Sequence, residues 1–176
     1  MKLFKVIMIL FWVSSLSLLF AQDKYAPWAK LKQDIPDGVR NSYENMKENT
    51  PDRSMIELPP YPGAGIIETS QSTQSVDESR NPVLPTVTLI SNDPSDKIIN
   101  VYKDIIKDFP EWHWDSNIRI FYKGNLQDAL NRQSPYIQVT PIESGETGLM
   151  YVSSDVLASA NSKIVVCYNT GSAEEN

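Results

Sequence analysis

From Asn92 to Pro110 the chain reads NDPSDKIINVYKDIIKDFP, and this stretch constrains the fold more than any other. Ile98, Ile99, Tyr102, Ile105, Ile106 and Phe109 recur at spacings of one, three and four, so they share one face of a 3.6-residue helix. Lys97, Asn100, Lys103, Asp104, Lys107 and Asp108 fall largely outside that stripe. The start is marked by Asp93 as the expected N-cap, by Pro94 at the first helical position and by Asp96 in the first turn. Pro110 marks the stop, because it biases Phe109 away from helical angles. Six apolar side chains at about 1.5–3 kcal/mol each set an upper limit of roughly 10 kcal/mol or somewhat more for this face. A rod with one apolar stripe needs a layer to lie on.

The flanking residues supply that layer. Ala64 to Glu68 reads as a first strand, opened by the turn signal of Tyr61-Pro62-Gly63-Ala64. Thr69 to Arg80 is polar and without period, a long hairpin loop. A second strand lies within Val83 to Ile90, a third at Ile118 to Tyr122 and a fourth at Tyr136 to Ile142, with Ile137 and Val139 toward the core. Gly124-Asn125 caps a short helix that turns Leu126, Ala129 and Leu130 inward. Gly145 to Gly148 is a turn, and Leu149 to Val152 is a candidate short strand. Lys163 to Tyr168 is apolar enough to be central. These elements predict an α+β fold: a mainly antiparallel sheet of four to six strands with one long amphipathic helix on one face. The strands flanking that helix are free to be antiparallel or to pair in parallel through a right-handed crossover.

The first 21 residues predict a secretory signal peptide. Lys2 and Lys5 form a positive start, an apolar run follows from Val6, and Ala21 stands before the polar Gln22-Asp23-Lys24. No Cys follows the run, so there is no thiol for a lipid anchor. Residues 22–60 read as a tether interrupted by five prolines, with one thin helix at Asp37 to Lys47. Residues 61–169 form the single domain, and 170–176 a disordered tail. With acidic residues exceeding basic ones by 22 to 16, phosphate backbones repel the chain, and nucleic acid is excluded as a partner. No asparagine stands in a glycan-acceptor sequence, which leans toward a bacterial envelope protein.

The YPGA opening, the strand after it, the helix start SNDPSD, the VYK within the helix and the Trp beyond it resemble small exported bacterial α+β domains of unknown function. That resemblance, over about Pro59 to Tyr122, implies an envelope or periplasmic module and brings no catalytic residues with it. The chain departs from the commoner pattern in lacking a lipid-anchoring cysteine.

Reactive residues are sparse. His113 and Cys167 are the only histidine and cysteine, too few for a zinc set, and Cys167 within IVVCY reads as a small core side chain. No Gly-rich phosphate loop or nucleophile elbow is present. Neither a catalytic residue, a metal nor a cofactor is expected. Glu111-Trp112-His113-Trp114-Asp115 is the one unusual cluster. In an extended chain both Trp rings face one way and His113 the other, which makes Trp112, His113 and Trp114 the candidate ligand-binding residues. The bland alternative is that the two rings close the end of the core. The expectation is an exported, non-catalytic binding or accessory domain of the cell envelope, a monomer or weak oligomer whose partner is an envelope protein or glycan. Its rival is a small carboxylate-dependent hydrolase or isomerase with a pocket between sheet and helix.

Overall fold

The computed structural model describes residues 24–72, 83–142 and 151–170. The expected signal peptide, most of the polar loop, the turn at 145–148 and most of the tail lie outside the described residues. In chain order come α1 (Asp37–Glu48), β1 (Gly65–Ser70), β2 (Thr86–Ser91), α2 (Ser95–Ile105), β3 (Trp112–Asp115), β4 (Ile120–Lys123), α3 (Leu126–Leu130), β5 (Tyr136–Pro141), α4 (Ser154–Leu157) and β6 (Ser162–Cys167). The strands form one sheet in the order β1-β2-β6-β5-β4-β3, and every neighbouring pair is antiparallel. The fold is α+β, with the main helix on one face of a six-stranded antiparallel sheet. The parallel option fails because β2 and β3, on either side of α2, are not neighbours: β3 is the far edge.

Alternation sorts the strand residues into two faces. Ile66, Val87, Leu89, Ile164, Val166, Ile137, Val139 and Phe121 join Ile98, Ile99 and Tyr102 of α2 in one core. Ile98 and Tyr102 are almost wholly excluded from water, as the helical stripe requires. α2 tightens into a 3-10 turn at Ile106–Asp108 before Pro110 ends it. β6 is central and paired on both sides, as its apolar run predicts. A bulge in β1 between Ile66 and Glu68 sends Ile67 to the reverse face. There Ile67 packs with Ile90, Val152 and side chains of α4.

Three local expectations are corrected. Asp93 makes no cap bond; helix α2 begins after Pro94, whose carbonyl accepts from Lys97 and Ile98. The Asp93 carboxylate instead accepts from Lys97 Nζ at 2.8 Å and from the Tyr61 hydroxyl at 2.7 Å. These two bonds, the Lys97 one first, hold its carboxyl below the usual range. The strand expected from Ile118 is β4 and starts at Ile120, because Arg119 takes a left-handed φ of 55° and turns the chain. Ile118 is therefore left exposed while Phe121 enters the core. Leu130 of α3 points outward, and only Ala129 of its three apolar residues is fully buried.

The proline-interrupted segment read as a tether is part of the folded unit. Tyr25, Ala26, Ile56 and Leu58 belong to the main core. Pro27–Ala29 runs alongside β1: Ile66 N donates to Pro27 O at 2.7 Å, and Ala29 N to Ile66 O at 2.8 Å. This covers an edge that would otherwise expose unpaired backbone groups. A Cβ on Gly65 would meet Ala29 at 3.2 Å, so a side chain there would press the Ala29 backbone away from β1. α1 lies beside β1, with the Thr69 hydroxyl donating to Met46 O. The segment makes no ladder of its own because prolines break every period, yet its isolated apolar residues find places in the core.

Candidate functional site

The three residues singled out by sequence stand on β3, and the sheet divides them. Trp112 and Trp114 share the core face, as alternation requires, and His113 faces the other way. Trp112 is buried, and its indole N–H donates to Glu57 Oε2 at 3.1 Å. That carboxylate also takes Lys123 Nζ at 2.9 Å, and Glu111 binds the same ammonium at 2.8 Å. Trp114 stacks on Phe121 at 4.4 Å between centroids, with Lys103 Nζ 5.0 Å above its ring. Both rings pack against the main core, Trp112 beside Glu57 and Trp114 under Lys103 of α2. His113 is exposed and Trp114 half-buried.

The face turned away from α2 can be read row by row from the strand register. One row runs His113, Tyr122, Tyr136, Cys167, Thr86, Ser70. His113 and Cys167 are three strands apart, about 14 Å at the usual spacing, so they form no dyad. Burial pushes the Cys167 thiol up to about 11, the opposite of an activated nucleophile. Arg132, at a left-handed φ of 57°, donates to Leu84 O at 2.8 Å and to Ser70 Oγ at 3.1 Å, tying this end together. The next row is Asp115, Ile120, Gln138, Val165, Thr88, Glu68. Its two acids occupy opposite edge strands, five spacings or about 24 Å apart. A carboxylate pair that shares a substrate must stand within about 5–10 Å.

A cavity of about 520 Å³ opens elsewhere, where residues 24–27 pass the YPGA turn. Its volume lies in the range that suits a small ligand. Tyr25 and Tyr61 give ring walls, Pro27, Pro60 and Pro62 give stiff rims, and Lys24 and Arg53 bring charge. Gly63 supplies the φ of 77° that the turn demands. No carboxylate, imidazole or thiol stands among the described residues that line it. Lys24 pairs with Asp52 at 2.8 Å. Arg53 donates to Ile56 O at 2.5 Å and sits 6.0 Å from the centre of the Tyr25 ring, with no carboxylate partner among the described residues. The Tyr25 hydroxyl is buried beside Tyr102. Burial, then the neighbouring Tyr102, holds that phenol well above its ordinary value.

Sequence reasoning finds the YPGA turn but not this cavity, whose walls come from three separate stretches with no common motif. Among the described residues no cluster of His, Cys, Asp or Glu is suited to a metal ion, and no helix is long and apolar enough to cross a membrane. No protein-family model matches the chain, and neither a curated protein nor a solved structure shows similarity to it.

Proposed function

We propose that the chain is an exported, non-catalytic binding or accessory domain of the cell envelope. The supporting observation is the placement of its acids. On the sheet face away from α2, Glu68 and Asp115 stand on opposite edges. The cavity beside the YPGA turn is lined by cations and rings, with no carboxylate or imidazole among the described residues. A small carboxylate-dependent enzyme needs convergent acids, and among the described residues the acids at these two places do not converge. The signal-like start of the sequence supports export, and its acidic balance turns the partner away from nucleic acid toward protein or glycan.

Two measurements test this reading. The intact mass of the chain from an envelope or extracellular fraction should correspond to loss of residues 1–21; a full-length mass confined to the cytosol would contradict export. Incubated with envelope peptides and glycans, the purified mature chain should retain a component and release it chemically unchanged. A product that accumulates with time and is lost on replacing Glu68 or Asp115 would establish an enzyme instead.

A further inference from the structure

We propose that the cavity beside the YPGA turn is a carboxylate-binding site, taking a ligand whose free carboxylate is joined to a flat apolar body. This rests on the reading of the chain as a binding domain and gives that binding a place and a chemistry. The chain as a whole carries a formal charge of −6, yet the described lining of this cavity has two cations and no acid. Asp52 offsets Lys24, which leaves Arg53 as the uncompensated charge. Its guanidinium has five N–H donors, and the bond to Ile56 O, together with the Tyr25 ring beneath, fixes its plane while leaving donors free. A fixed fork with open donors matches the two oxygens of a carboxylate.

The rest of the wall explains the body of the ligand. Pro27, Pro60 and Pro62 have no N–H, so the wall offers few donors apart from the cations. The accessible rings of Pro27, Pro60 and Pro62 offer flat apolar surface, backed by the buried rings of Tyr25 and Tyr61. An aromatic residue at a peptide C-terminus and a free aromatic acid share the required chemistry.

The test is an amide chemical-shift titration of the mature chain with alanyl-phenylalanine, its C-terminal amide and N-acetylphenylalanine. The free dipeptide should shift residues 24–27 and 60–64 saturably, and the amide should bind about tenfold more weakly. A dipeptide that outcompetes N-acetylphenylalanine points to peptide as the source, and equal binding points to a free acid; either supports the site. Arg53→Gln should lose about tenfold in affinity, and Arg53→Lys, which keeps the charge without the fork, less. If Arg53→Gln fails to fold, Lys24→Gln, at an exposed side chain, should weaken binding severalfold. Equal affinity for acid and amide, or no saturable shift in the cavity, overturns the proposal. Saturable binding of a glycan at another surface, with none of the acid here, would end it while leaving the proposed function intact.

Discussion

A chain that begins at Tyr61 is expected to lose cooperative folding altogether. Removing residues 24–60 strips Tyr25, Ala26, Ile56 and Leu58 from the core and uncovers the outer edge of β1. It also removes α1, whose Tyr43 is buried. Each large buried side chain is worth about 1.5–3 kcal/mol of transfer free energy, against a total stability of roughly 5–15 kcal/mol for a domain. The exposed edge adds a second failure, because its unpaired N–H and C=O groups invite pairing between copies. A single substitution gives the same contrast with less disruption. Leu58 is fully buried, so Leu58→Ala should cost about 2–5 kcal/mol in urea unfolding. A true tether would tolerate both changes with no loss. A truncated chain that unfolds cooperatively near the parent's midpoint would show that the N-terminal segment only decorates the sheet.

What the sequence reveals depends on how local the deciding interaction is. α2 is legible because its stripe repeats along one element, and Ile98 and Tyr102 are buried where the period places them. β6 is legible as central because its apolar run allows no wet face. The Asp93 cap is misread for a long-range reason: Tyr61, 32 residues away, shares its carboxylate with Lys97. β3 is hard to see because four residues between a proline and a turn show too little alternation to count. The N-terminal segment is harder still. Tyr25, Ile56 and Leu58 are isolated apolar residues among prolines, and their burial depends on the surface that the rest of the chain presents. The same holds for the candidate site. Alternation tells which way Trp112, His113 and Trp114 face, but not that Glu57 holds the Trp112 indole or that Lys103 of α2 lies over Trp114. The cavity joins Lys24, Arg53 and the YPGA turn, and no sequence period connects them.

Alkali is expected to unfold the protein well before it would denature a domain with ordinary phenols. Burial pushes Tyr43 up to about 12 from 10.0. Burial and the bond to Asp93 do the same for Tyr61, again to about 12. Burial alone lifts the Cys167 thiol from 9.0 to about 11, against the neighbouring Arg132, which opposes the rise. Tyr25 and Tyr102, at the centre of the core, are raised further for the same leading reason. All five groups keep their protons in the folded state at a pH where the unfolded chain has released them. Their contribution is therefore fully present below the unfolded values and is lost as pH climbs through the folded ones. At about pH 11 Tyr43 would cost about 1.4 kcal/mol and Cys167 about 2 kcal/mol, with Tyr61 and the two deeper phenols adding to this. The sum reaches several kcal/mol, comparable with the whole stability of a domain. The urea midpoint should hardly change up to about pH 9 and then fall steeply, with tyrosinate absorbance appearing together with unfolding. Tyr61→Phe should make the fall shallower, because one coupled proton is gone. A midpoint that stays level to about pH 11, or phenols that ionise while the chain remains folded, would mean that these hydroxyls reach water and that the core is looser than its packing implies.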